Sequence, residues 1–208
     1  VALARYVQRF TEEAFVKALF LGCTLVVAIT RPAPAAQSDS AAASAAQQHA
    51  FDFEFGAWSA RISRLKAPLT SSKEWVEYEG TSVVRRVWDG KANLGELDVS
   101  GPAGRIQGLS LRTYNPESGQ WHITWSNSRQ GTLGPPMIGG FKGARGEFYN
   151  QETLDGRAIF VRFIFSDITA KTFRLEQAFS ADGGKTWEPN WIAKFTKVSE
   201  PGSARSSE

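Results

Sequence analysis

From Phe51 onward the sequence predicts an all-β domain, one antiparallel sheet that closes into a barrel or folds into a sandwich. Apolar and polar residues alternate in run after run, hairpin-turn residues fall between the runs, and no helical periodicity longer than about ten residues appears. "FDFEF" sets Phe51, Phe53 and Phe55 against Asp52 and Glu54 and reads as the first strand. "EWVEYEG" sets Trp75, Glu77 and Glu79 against Val76 and Tyr78. In "GQWHITWSN" Trp121, Ile123 and Trp125 share one face, and in "KTFRLEQAFS" Phe173, Leu175, Gln177 and Phe179 do so. Aromatic and β-branched residues at period two make strands with one buried face.

The turns fall at Asp89-Gly90, at "NPESG" (115–119), at Asp155-Gly156 and at "ADGG" (181–184). Each holds a residue that readily supplies the positive φ of a tight hairpin. The last belongs to "SADGGKTWEPNW", whose first eight residues fit Ser-x-Asp-x-Gly-x-Thr-Trp and resemble the Asp box of sialidases. A sialidase propeller needs several four-stranded blades, and 208 residues with a single such motif are too few. The motif therefore reads as a structural hairpin. Ser180 and Asp182 satisfy turn amides, Gly184 supplies a backbone that side chains disfavour, and Trp187 is expected to start the next strand facing inward.

Before Phe51 the chain reads differently. Arg5, Arg9 and Lys17 precede the apolar run "ALFLGCTLVVAIT" (18–30), and Ala33-Pro34-Ala35 offers a small-x-small cleavage site. Thirteen helical residues span about 20 Å, short of a hydrocarbon core of about 30 Å. Residues 1–36 are thus expected to be a signal peptide, which places the mature protein in the periplasm or outside the cell, with no transmembrane span after cleavage. Residues 37–50, rich in Ala, Ser and Gln, read as a low-complexity linker, 51–199 as the β domain, and 200–208 as a disordered tail.

Composition excludes several functions. Past residue 36 there are 20 basic and 19 acidic side chains, no footprint of a nucleic-acid binder. Cys23 is the only cysteine and lies in the leader, which removes disulfides and thiol chemistry from the domain. His122 is the only histidine after the linker, so a zinc site would lack a second imidazole. No metal and no cofactor is implied. The pairs Glu77/Glu79 and Glu96/Asp98 could serve acid–base chemistry in principle, but carboxylates two apart on a strand read as solvated.

The second signature is "FDFEFGAW". Gly56-x-Trp58 resembles the Gly-x-Trp of lipocalins and their calycin relatives, in which the tryptophan plugs the closed barrel end and a basic residue of the last strand lies across it. Lys194 or Lys197 in "NWIAKFTKV" stands where that residue is expected, with Lys194 the first choice. With "LRTYNPESGQWHITW", "GRAIFVRFIF" and "AFSADGGKTWEPNWIAKFT" in this order, the stretch from Phe51 to Lys197 resembles the exported lipocalin-like domain family of unknown function labelled DUF1579. That resemblance implies an antiparallel up-and-down barrel around a cavity.

Such an interior takes one small ligand. The polar candidates to meet it are Arg112, Tyr114 and Arg162, the last on a strand with two apolar faces and so able to point in or out. Trp121, Trp125 and Trp191 are expected to be buried, as core or as a stacking wall. The function expected is an exported small-molecule-binding barrel holding a mainly apolar ligand, anionic if an arginine points inward, with homo-oligomerisation left open. Two alternatives stand beside it: an enzyme of the same architecture, a hydratase, isomerase or cyclase, and a structural module of the cell envelope.

Overall fold

The computed structural model describes residues 45–199; the leader, linker residues 37–44 and the tail lie outside the described residues. Ten strands follow in order: β1 (Gly56–Leu65), β2 (Trp75–Val87), β3 (Ala92–Gly101), β4 (Gly104–Asn115), β5 (Gln120–Asn127), β6 (Met137–Lys142), β7 (Arg145–Leu154), β8 (Arg157–Ser166), β9 (Thr172–Ser180) and β10 (Glu188–Ser199). Each pairs antiparallel with its neighbours in the chain, and β10 returns to β1, so the sheet is a closed barrel rather than a sandwich. Closure leaves no unpaired sheet edge. Among the described residues no helix is long and apolar enough to cross a membrane.

The anticipated turns join the strands. Asp155 and Gly156 both take positive φ, 49° and 79°, as a two-residue hairpin requires. At 115–119 the Asn115 side chain accepts from the amides of Glu117 (2.9 Å) and Ser118 (3.3 Å). The joint between β5 and β6 is short, three residue pairs from Trp121↔Gly139 to Ile123↔Met137, and residues 128–136 bridge the two strands at the open end.

Two expectations fail at the N-terminal side. "FDFEF" is no strand: Asp52–Glu54 form a 3-10 turn, and β1 starts only at Gly56, whose φ of 119° redirects the chain. Five alternating residues are too few to separate a strand from a tight apolar turn. Here the turn enters the barrel end. Phe51 packs against Trp121, Phe141, Phe148 and Phe165 with ring centroids 4.9–5.6 Å apart, and Phe53 continues the cluster to Phe173. Edge-on contacts of this kind add to the burial of large apolar surface.

The linker, moreover, is no tether over its last residues. A helical turn at 45–48 docks on the plugged end. The Gln47 side chain donates to the Phe141 carbonyl (2.7 Å) and accepts from its amide (3.3 Å), while the Gln47 carbonyl accepts from Trp121 Nε1 (2.7 Å). One end of the barrel is thus filled with aromatic side chains and sealed from outside.

Candidate functional site

Above that plug the lumen is hollow. A cavity of about 780 Å³ runs toward the open end, within the span of about 300–1,000 Å³ common for small-molecule sites. Strand alternation decides its walls. Ile62, Leu97, Ile123, Phe163 and Leu175 make them apolar, and the indoles of Trp125 and Trp191 border the cavity with Phe179. Two glycines leave space where side chains would stand. A Cβ on Gly108 would fall 1.9 Å from Trp125 Cη2, so the indole lies flush against β4. A Cβ on Gly95 would fall 2.8 Å from Ser110 Oγ and 3.2 Å from Arg112 Nη1.

Polar groups enter at several places, Glu152 on β7 among them. Arg112 stands at the floor with Ser110 on the same strand and Ser82 on β2; Gln177 and Asn190 sit on the β9–β10 wall, joined by a 2.6 Å hydrogen bond; Arg64, Arg105 and Arg129 stand at the mouth. Asn190 turns inward because β10 carries a bulge between Pro189 and Trp191.

The floor is an ion pair. Arg112 Nη1 lies 2.8 Å from Glu54 Oε2 and donates to Asn93 Oδ1 at 2.9 Å, and the guanidinium stacks 5.1 Å above the Phe51 ring. Glu54 is 1% exposed, Arg112 7% and Asn93 0%. Burial pushes the Glu54 carboxyl up from the usual carboxylate range while Arg112 pulls it back, and burial lowers the Arg112 guanidinium against the opposing pull of Glu54. The pair stays ionised nonetheless, because a guanidinium keeps its proton and a neutral Glu54 would strand a buried cation. Among the described residues Arg112 Nε and Asn93 Nδ2 find no acceptor, and Glu54 Oε2, for all its closeness to Arg112, accepts no hydrogen bond.

Of the six residues expected at a ligand, Arg112, Trp125 and Trp191 border the cavity. Trp121 and Tyr114 belong to the plug, packed on each other at 5.5 Å, with Trp121 fully buried under Gln47. Arg162 is a correction: it points outward. Its Cζ lies 4.5 Å from the centre of the Trp187 ring, while Phe163 and Phe165 on the other face of β8 border the cavity. The hairpin at 181–187 folds back over the outside of β8, which explains why both faces of that strand are apolar. Trp187 is therefore outside as well, 6.1 Å from Tyr149, and not inward as expected.

Within that hairpin Ser180 Oγ accepts from Gly184 N (2.8 Å), Asp182 takes the Thr186 amide (2.9 Å) and hydroxyl (2.6 Å), and Trp187 Nε1 donates to the Gly184 carbonyl. These bonds to its charged form, from Thr186 first, hold the Asp182 carboxyl down at about 2. At the plug, Trp58 is fully buried and donates to the Glu54 carbonyl (2.6 Å). The cation across it is Lys197, 5.3 Å from the ring, and not Lys194. Lys194 pairs with Arg61 on the outward face, since Ala193, Phe195 and Lys197 take the inward parity of β10.

Sequence reasoning missed Glu54, taken for an outward strand residue, and Asn93, Gln177, Asn190 and Gln47. The inward parity of Gln177 beside Phe173 and Leu175 was the one available signal. Among the described residues no cluster of His, Cys, Asp and Glu could hold a metal ion. A smaller hollow of about 280 Å³ under Gln47, Ala50 and Phe53 has no comparable convergence of polar groups.

No family model matches the chain, and no curated protein does. Among solved structures, the S-type phycobiliprotein lyase CPES from Guillardia theta is 12% identical over 77% of this chain and 98% of its own, with a TM-score of 0.50. The barrel is the fold the two share. A redesigned β-barrel, mFAP0, bound to DFHBI matches at 8% identity, over 70% of this chain and 99% of its own, with a TM-score of 0.40. A de novo designed fluorescence-activating β-barrel matches at 9% identity, over 72% of this chain and 97% of its own, with a TM-score of 0.39.

Proposed function

We propose that this protein is an exported binding barrel that holds one small, mainly apolar molecule in its lumen, inserted toward Arg112. The observation that carries the reading is the cavity of about 780 Å³ between Trp125 and Trp191, left open by Gly95 and Gly108 while the opposite end is packed solid. Export rests on the leader pattern of residues 1–36, and membership of DUF1579 on the order of motifs from Phe51 to Lys197.

The enzyme reading asks for an acid or base facing the substrate. Glu54, the carboxyl that burial pushes up, stands behind Arg112 and does not border the cavity. A barrel of this fold does occur under the name of a lyase, and the carboxylate that borders this cavity on β7 is Glu152, which accepts from Asn150 Nδ2 at 2.9 Å. An envelope module with no guest would need no hollow.

Native mass spectrometry of the protein purified from its own cells tests the proposal. A bound mass of one small molecule per chain is the expected result. Protein that carries none, and that neither captures nor fluorescently enhances apolar dyes, would sink it. Cell fractionation tests export: the reading predicts recovery outside the cytoplasm.

A further inference from the structure

The floor of the lumen presents a cation whose charge is already spent. Glu54 Oε2 stands 2.8 Å from Arg112 Nη1, both side chains are buried, and the arginines that could add positive charge, Arg64, Arg105 and Arg129, are at the mouth. Arg105 is itself paired, its Nε 2.7 Å from Asp98 Oδ1. A carboxylate pushed down to Arg112 would share one guanidinium with Glu54 at the deep, largely buried end of the cavity. Two buried anions on one cation leave a net charge there, which is expensive.

Hydrogen-bonding capacity at the floor nevertheless remains unmet. Arg112 Nε and Asn93 Nδ2 are donors without acceptors, and Glu54 Oε2 is an acceptor without a hydrogen bond; Asn93 Oδ1 is already taken by Arg112, and of the three residues only Arg112 borders the cavity. Ser110 and Ser82 border the cavity beside them. The unmet group on the residue that faces the cavity is thus a donor, Arg112 Nε, and the net charge of the pair is zero. A site so built selects for an acceptor that brings no charge.

We infer that the ligand enters with an uncharged hydrogen-bond acceptor first, a ketone, ester or amide oxygen received by Arg112, and that Glu54 excludes carboxylates from this position. The inference rests on the binding reading above and names the chemistry of the guest's deep end. Glu54 thus acts as a specificity residue that never touches the ligand.

Isothermal titration calorimetry of the full chain at neutral pH with three probes of one skeleton, 2-ethylnaphthalene, 2-acetylnaphthalene and 2-naphthoate, tests it. The ketone should bind about fivefold or more tighter than the more apolar ethyl compound, and the carboxylate weakest. In Glu54→Gln, which keeps shape but frees the Arg112 charge, naphthoate should gain about tenfold or more while the ketone changes by less than about threefold. If that variant does not fold, the ranking in the wild-type protein still decides. An ethyl compound equal to or better than the ketone, naphthoate binding tightest in the wild type, or a folded Glu54→Gln with unchanged naphthoate affinity overturns the inference alone. Absence of binding by all three overturns the binding reading beneath it as well.

Discussion

Gly108 on β4 and Trp125 on β5 occupy one volume between them: the Cβ that the glycine lacks would lie 1.9 Å from the Trp125 ring. The indole therefore lies against the wall and leaves the lumen free. In Gly108→Ala the ring must swing into the cavity. Because that space is empty, the stability cost should stay near the low end of overpacking, about 1 kcal/mol, while the affinity for apolar dyes falls about tenfold or more. Urea unfolding and dye titration separate the two effects. A variant that binds dye as the wild type does contradicts the geometry.

Glu54 and Arg112 are coupled by burial. Glu54→Leu or Arg112→Met each leaves one ion without its partner and should cost about 3–5 kcal/mol. The double variant, with neither charge, should be far more stable than the sum of the two losses implies. A double-mutant cycle measures this coupling directly. Additive losses would mean that the pair is not formed in solution.

Lys197 lies across Trp58, whereas Lys194 points away from the lumen. Lys197→Met should lower stability by about 0.5–2 kcal/mol, and Lys194→Met should stay within about 0.5 kcal/mol of the wild type. The reverse order in chemical denaturation would contradict the assignment of the cation to Lys197.

Gln47 holds the helical turn on the plugged end with two side-chain bonds to Phe141. Gln47→Ala removes both but keeps the carbonyl that Trp121 uses, so the expected loss is about 1–2 kcal/mol. Thermal unfolding of the variant provides the check. No change would mean that residues 45–50 do not dock.

Asp182, held at about 2 in the folded hairpin, titrates near 3.8 without its partners. Its folded value is the lower one, so its contribution to stability is complete above about pH 4 and is lost as the pH falls through about 2. Asp182→Asn should be less stable than the wild type near neutrality and should lose less on acidification between about pH 4 and 2. Parallel acid-unfolding curves would rule out the depressed value.

Much of this was legible in the chain because a strand writes its two faces into alternate residues. Tyr78, Trp121, Ile123 and Phe173 are buried as their period-two runs demand. What misled was local geometry that breaks the count. The 3-10 turn at Asp52–Glu54 hid Glu54 among apparent outward residues. The bulge between Pro189 and Trp191 is how Asn190 turned inward unseen, whereas Lys197 was legible, since it shares the parity of Trp191, Ala193 and Phe195. Arg162 was ambiguous for another reason: the outer face of β8 is covered by Trp187 from a hairpin that doubles back, and two apolar faces do not tell which of them is the covered one.

Three residue pairs join β5 to β6, against nine between β7 and β8. Thermal breathing separates the weakest joint first, and this one parts beside Met137 and Ile123, on the flank of the hollow. The wall of the cylinder is thus softest along one seam. Amide protons near 121–123 and 137–139 would trade with solvent ahead of every other rung of the sheet.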